Sequence, residues 1–315
     1  MTVYRAVMDI GTNTCRLIVA EISEGRDMTL LRQIRVTRIG EGLGRGELHI
    51  SRAAMDRTLA ALTEYKTMIA GYPVDRVRLL GTQALREADN GLEFAAEVKK
   101  KTGFDLEIIS GRQEAYLSYA GAVKGFADSA VIQPLVLDIG AGSTELFREE
   151  VSDCGERRVT GASAPVGCLR LLERSLDDAE ILAALSAGWQ EVESPRGTGV
   201  SGDGETDPEA NEQKSPLVAV GGTATTLGAI HLMMKEYDPE ALLGLRMTRS
   251  QVEAVLSLLV KLPPEERLAL PGMMPGREDV MPWGLRILLC AMTYCRRGSV
   301  VICDRDLLYG ALYDG

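Results

Sequence analysis

Histidine is nearly absent, with two in 315 residues, and the six cysteines contain no Cys-x-x-Cys pair. No zinc-ligand spacing can be drawn from His49, His231 and these cysteines, so the thiols read as small apolar residues kept reduced. Basic charge is also short: 35 Lys and Arg against 45 Asp and Glu leave a formal net charge of -10. That balance lacks the basic footprint of a nucleic-acid binder, and it requires any anion site to concentrate arginine, backbone donors and metal locally. No apolar run approaches membrane-spanning length, and an acidic strand end stands where a signal peptide needs a long apolar core. The expectation is a cytoplasmic protein that binds neither nucleic acid nor membrane. What remains, 45% hydrophobic and 25% charged residues, is ordinary globular composition at a length natural for two domains.

One stretch occurs twice. Asp9-Ile10-Gly11-Thr12-Asn13-Thr14-Cys15-Arg16-Leu17 and Asp138-Ile139-Gly140-Ala141-Gly142-Ser143-Thr144-Glu145-Leu146 share Asp-Ile-Gly, a hydroxyl residue at the sixth position and Leu at the ninth. Each lies between apolar runs and reads as strand, tight polar turn, strand. Small residues there let backbone N–H groups approach a phosphate, Thr14 and Ser143 add hydroxyl donors, and the carboxylate at the strand end can hold a cation. A single Asp-x-Gly fills ordinary hairpins. Its recurrence with matching flanks points to two facing turns that clamp a phosphorylated ligand.

Around these turns strands alternate with helices, which predicts an α/β fold. Ser51 reads as the cap of a helix carrying Met55, Leu59, Leu62, Tyr65 and Ile69, Asn90 and Asp177 as caps of two more, and Gly103 as a helix stop. Arg86 follows the strand over 76–81, at the strand end where α/β proteins bind ligands; it reads either as a phosphate contact or as a solvated helix arginine. Glu114 falls in the first turn of the helix after Ser110-Gly111. There the helix dipole keeps a carboxylate ionised and able to accept a proton, unless it merely serves the helix end. Gly221-Gly222-Thr223-Ala224-Thr225-Thr226 opens a helix without the lysine of a Walker loop, yet still offers N–H donors to an anion. Residues 194–215 are Gly, Ser, Pro, Thr and acidic with no apolar period, and are expected to form a disordered surface loop.

In this order the stretches, together with Arg38-Ile39-Gly40-Glu41-Gly42-Leu43, Thr82-Gln83-Ala84-Leu85-Arg86-Glu87-Ala88, Ile109-Ser110-Gly111-Arg112-Gln113-Glu114-Ala115 and Asp304-Arg305, resemble one family. It is the exopolyphosphatase and guanosine pentaphosphate phosphohydrolase (Ppx/GppA) family, a branch of the actin, hexokinase and Hsp70 superfamily, and the resemblance covers nearly the whole chain. It implies two RNase H-like α/β domains around a ligand cleft, 1–123 and 124–299, with a C-terminal helix near 300–315 packing back on the first. The implied activity is hydrolysis of the terminal phosphoanhydride of inorganic polyphosphate, or of the 5'-terminal phosphate of guanosine pentaphosphate (pppGpp), with magnesium or another divalent cation.

Residue by residue, Glu114 matches the family's water-activating base. Asp138 and Glu145, with Asp9 as a further candidate, match the metal carboxylates. Thr12, Asn13, Thr14, Gly140, Gly142 and Ser143, with Arg86, match the phosphate-binding positions, and Arg16, Thr144, Gly222 and Thr223 join them as candidates from the same motifs. Gln113 stands where many members carry a glutamate, and Ala141 replaces a glycine, which demands a conventional backbone there. Longer members continue beyond the position of Gly315 into a helical region that helps hold extended polyphosphate. Limited processivity is therefore expected, and a homodimer would extend the groove. The readings from other classes are an ATP-dependent kinase and a nonhydrolytic sensor of polyphosphate or alarmone. Glu114 without an obvious acceptor-sugar site argues against the first, and the retained polar positions argue against the second.

Overall fold

The computed structural model describes residues 2–43, 48–126, 133–151, 154–190, 192 and 215–314. The first repeated stretch is the bend between β1 (Val3–Ile10) and β2 (Thr14–Ser23), which pair antiparallel so that Asp9 opposes Arg16. β3 (Arg26–Val36) continues the meander beside β2. After α1 (Arg52–Ile69) the chain returns as β4 (Arg76–Gly81), parallel to β1. After α2 (Gln83–Glu87) and α3 (Gly91–Thr102) it returns again as β5 (Leu106–Ile108), parallel to β4. The sheet order is β3-β2-β1-β4-β5, and α4 (Gly111–Gly125) follows.

The second half repeats this plan. β6 (Leu135–Ile139), β7 (Thr144–Val151) and β8 (Arg157–Ala164) form the meander, with Asp138 opposite Glu145. After α5 (Cys168–Arg174) and α6 (Asp178–Gly188), β9 (Leu217–Val220) lies parallel to β6 and runs into α7 (Gly221–His231). α8 (Pro239–Leu242), β10 (Arg246–Thr248), α9 (Arg249–Lys261), α10 (Pro264–Leu268) and α11 (Met281–Tyr294) lead to β11 (Ser299–Ile302) and α12 (Leu307–Tyr313). Read from β8, the order β8-β7-β6-β9-β11-β10 reproduces the first sheet with one strand added. The doubled turn thus sits at the same place in two copies of one α/β topology.

Local sequence explains most of these elements. The Ser51 side chain accepts from the Ala54 N–H at 3.3 Å, and α1 buries Met55, Leu59, Leu62 and Tyr65 at steps of three and four. Asn90, expected to cap α3, does not. Its amide is turned to Ile50, accepting from the N–H and donating to the carbonyl at 3.0 Å each, which ties the loop before α1 to the start of α3. β8 is a strand that composition does not announce: Arg157 to Ala164 lacks apolar alternation, and β7 supplies the ladder that orders it. The loop expected over 194–215 lies outside the described residues, apart from Ser215. Among the described residues no helix is long and apolar enough to cross a membrane.

α4 and α12 join the two sheets. α4 lays Ala115, Tyr119 and Ala122, with Phe126 just past its end, on Val136, Phe147 and Val218 of the second sheet, while α12 lays Leu308 and Leu312 on Val7, Ile18 and Leu80 of the first. The helices cross where each carries a glycine. A Cβ on Gly121 would stand 2.0 Å from the Asp306 carbonyl oxygen, and one on Gly310 would stand 1.9 Å from that of Leu117. Because Glu114 lies in the first turn of α4, this crossing also sets where that carboxylate stands.

Candidate active site

The two repeated turns face each other across a cavity of about 90 Å³, room for several waters. Each turn is closed by the same backbone bond, Gly11 N–H to Thr14 O at 3.0 Å and Gly140 N–H to Ser143 O at 2.9 Å. They come close enough that a Cβ on Gly142 would meet Gln83 Oε1 at 2.3 Å and Thr12 Oγ1 at 3.2 Å, so glycine is what lets the halves approach this far. Ala141 adopts no left-handed backbone, and its carbonyl accepts from the N–H groups of Leu169 and Arg170 at 3.0 and 3.1 Å. The first turn of α5 therefore holds the second turn in place.

Thr12, Asn13 and Thr14 line one wall of the cavity, and Gly140, Gly142 and Ser143 line the facing one, with Gly222 nearby. Asn13 is 5% exposed, and among the described residues neither polar atom of its amide has a partner. A buried amide left unpaired costs about 1–3 kcal/mol, so this one is poised for a ligand.

Four carboxylates reach the same space: Asp9, Glu114, Asp138 and Glu145. Asp9 and Asp138 each stand one residue before the end of their strand, and Glu145 is the cross-strand neighbour of Asp138, with Ser163 Oγ donating to its Oε1 at 2.6 Å. Burial raises all four from their ordinary values. Asp138 is raised to about 7, first by burial and then by the negative charge of Asp306. Glu145 is raised by burial and then by the charges of Glu114 and Asp138. Asp9 Oδ1 is buried with no hydrogen-bond partner among the described residues.

Crowded, buried carboxylate oxygens are the donor set of a hard cation such as magnesium or manganese. Among the described residues no three His, Cys, Asp or Glu side chains make a metal cage by themselves. A cation here would keep waters and take phosphate oxygens, the usual condition of magnesium at a phosphate-transfer site. The residues present fit such an ion.

Three candidates from the sequence stand elsewhere. Arg86 does not line the cavity; its Nη1 donates to Glu114 Oε2 at 2.6 Å and to the Ile109 carbonyl at 3.0 Å. In this arrangement it grips Glu114. The hydroxyls of Thr144 and Thr223 donate to the carbonyls of Val166 at 2.5 Å and Ile139 at 3.0 Å, so these threonines hold the turns from behind. Arg16 does line the cavity, though its Nε and Nη2 donate to Asp9 Oδ2 at 2.9 and 2.7 Å.

Arg277 is the cation that sequence reasoning missed. It lies between α10 and α11, is 8% exposed and reaches the cavity beside Gly222, where a Cβ would stand 1.8 Å from its Nη2. Among the described residues its side chain makes no ion pair or hydrogen bond, and burial pulls its pKa below the usual arginine value. A buried guanidinium without a direct ion pair, balanced only at a distance by charges such as that of Asp138, is costly and matches an incoming phosphate. The surrounding Pro271, Gly272, Pro275 and Gly276 read only as a connection, with no motif to single out the arginine.

Known proteins share this arrangement of chain. The profile of the Ppx/GppA phosphatase family matches residues 18–315. Exopolyphosphatase 2 of Mycobacterium tuberculosis is 33% identical over 290 residues, covering 89% of this chain and 86% of that protein. The bifunctional 3-dehydroquinate synthase/phosphatase of Fusobacterium nucleatum is 26% identical over 99% of this chain, which spans 46% of that protein. Among solved structures, the Ppx/GppA enzyme of Aquifex aeolicus superposes with a TM-score of 0.74 at 26% identity, covering 99% of each chain. With that match over nearly its whole length, the chain belongs to the Ppx/GppA phosphatase family.

Proposed function

We propose that this chain is an exopolyphosphatase, hydrolysing the terminal phosphoanhydride of inorganic polyphosphate with the help of a divalent cation and releasing orthophosphate. The observation that carries the reading is Glu114, a half-buried carboxylate gripped on one oxygen by Arg86 and set at the cavity between the two repeated turns. Its other oxygen, Oε1, accepts no hydrogen bond among the described residues and is left to take a proton from water. Burial raises its pKa from the ordinary carboxylate value, which brings the base closer to neutral working pH.

The terminal phosphate would sit between the two turns. Backbone N–H groups, Thr12, Thr14, Ser143 and the Asn13 amide can bind its oxygens from the two walls, and Arg277 from the side of Gly222. Such fixed donors stabilise the charge that spreads over the equatorial oxygens as the anhydride breaks. Asp138 and Glu145, with Asp9, would hold magnesium, which would supply further positive charge to those oxygens. Glu114 orients one water for attack, and the cleft excludes the rest.

The neighbouring reading, removal of the 5'-terminal phosphate of guanosine pentaphosphate, would use the same groups. Among the described residues no aromatic side chain lines the cavity, so nothing is placed there to stack a guanine ring. Phosphate release from long polyphosphate, short polyphosphate and guanosine pentaphosphate, each with magnesium, is the test. Faster turnover of either polyphosphate supports the proposal. Preference for the nucleotide moves the protein to the alarmone reaction, and transfer from ATP to a small acceptor in excess of hydrolysis makes it a kinase.

A further inference from the structure

Two groups at the cavity make no hydrogen bond or ion pair among the described residues, the Asn13 amide on one wall and the Arg277 guanidinium beside Gly222. They come from different halves of the chain, yet a short path joins them. The Asn13 carbonyl accepts from the N–H groups of Thr37 and Arg38 at 3.1 and 2.9 Å, and the Thr12 carbonyl accepts from the Gly40 N–H at 3.0 Å. The loop after β3 therefore hangs on the first repeated turn. Within it Arg38 has a φ of +46°, a left-handed backbone that a residue other than glycine keeps only where its surroundings impose it. Its side chain then crosses to the second half, where Nη2 donates to Asp279 Oδ2 at 2.6 Å.

Asp279 and Arg277 belong to one turn. The Arg277 carbonyl accepts from the N–H groups of Val280 and Met281 at 3.1 and 2.9 Å, and the Arg277 N–H donates to the Met274 carbonyl at 3.1 Å. Just before it Gly276, with a φ of +80°, brings the segment against β3, where a Cβ would stand 2.4 Å from Val36 Cγ2. Asp279 Oδ1 is buried with no hydrogen-bond partner among the described residues, so the bond to Arg38 is what anchors this carboxylate. The segment that delivers Arg277 is thus pressed on the first half at Gly276 and bonded to it at Asp279, on either side of the arginine. A partly exposed pair of this kind adds little stability, and its effect is on geometry.

We infer that Arg38 is a positioning residue of the phosphohydrolase: held by the Asn13 carbonyl and bonded to Asp279, it sets the Arg277 guanidinium where it and the Asn13 amide bind one phosphate. Arg38 stands outside the lining of the cavity and acts through Arg277. The inference rests on the phosphatase reading above.

The test is a double-mutant cycle on polyphosphate with wild type, Arg38→Ala, Arg277→Ala and the two together. Alanine takes up a left-handed backbone no more easily than arginine, so Arg38→Ala removes the side chain without relieving the loop. A positioning role lowers kcat/KM about 10-fold in Arg38→Ala, no more than in Arg277→Ala, and costs less than about twofold once Arg277 is already alanine. Asp279→Asn, which breaks the same pair from the other side, gives the same pattern and replaces Arg38→Ala in the cycle if that variant does not fold. The inference is overturned if Arg38→Ala costs the same factor in both backgrounds, the pattern of a residue that meets substrate itself. It is equally overturned if Arg38→Ala and Asp279→Asn lower Tm while kcat/KM stays within about twofold of wild type, the pattern of a purely structural pair. Should wild type release no phosphate from any substrate, the function reading fails by itself, and a crystal structure of Arg38→Ala decides the positioning. An Arg277 guanidinium moved from beside Gly222 supports it, and an unmoved one overturns it.

Discussion

Arg86 and Arg277 both stand near the candidate site, and their surroundings assign them different work. Arg86 is bonded to Glu114, whereas Arg277 makes no ion pair among the described residues. Arg86→Ala is therefore expected to lower kcat with KM nearly unchanged. Arg277→Ala is expected to lower kcat/KM about 10- to 100-fold, the worth of a charged hydrogen bond to substrate. Steady-state kinetics on polyphosphate separate the two, and a raised KM for Arg86→Ala with none for Arg277→Ala would reverse the assignment. At this scale the sequence was legible where a motif repeats: the turn residues Thr12, Asn13, Thr14, Gly140, Gly142 and Ser143 do line one cavity. It was blind to pairing. Position after β4 made Arg86 look like a phosphate contact, and only the fold shows that its Nη1 is bonded to Glu114. Arg277 was hidden for the opposite reason, since it enters from a loop whose path depends on the packing of α7 and α11.

Among the elements, the crossing of α4 and α12 ties the two sheets to the base. The Gly121 backbone meets backbone of the other helix, which cannot swing aside as a side chain can. Gly121→Ala is expected to destabilise the protein by about 1–3 kcal/mol, as overpacking does. Urea unfolding measures this, and a midpoint equal to wild type would show that the helices can separate at no cost. Most elements were readable because hydrophobic period and caps speak locally, as with Ser51 and α1. β8 and the role of Asn90 were not, because each depends on a distant partner: the ladder of β7 in one case and the backbone of Ile50 in the other.

For the whole molecule, the cleft is a balance of charge across two halves. Its mouth is held by Arg38 to Asp279 at 2.6 Å and Arg170 to Glu87 at 3.0 Å, while Arg305 to Asp27 at 2.6 Å joins the halves elsewhere. The first two pairs are partly exposed, and such pairs contribute about 0–1 kcal/mol each, so they add little to holding the halves together. The buried carboxylates give the molecule a pH signature. Asp138 is raised from 3.8 to about 7, so the folded protein retains a proton that the unfolded chain releases, and stability without metal falls as pH rises through about 4 to 7. A divalent cation favours the ionised carboxylates and opposes that fall. The Tm increase caused by magnesium is thus expected to be larger at about pH 8 than at about pH 5.5. An increase of the same size at both would show that these carboxylates do not meet the ion. The doubled topology was foreshadowed by the doubled turn, since an α/β unit that places one such turn at a strand end places the second likewise.

The most direct measurement is phosphate release from polyphosphate by wild type and by Glu114→Gln, with substrate binding measured alongside. General-base help is worth about 100- to 10,000-fold, so a loss of at least about 100-fold in kcat with binding retained is expected. A loss of less than about threefold would remove Glu114 from the reaction and contradict a hydrolytic site at this cavity.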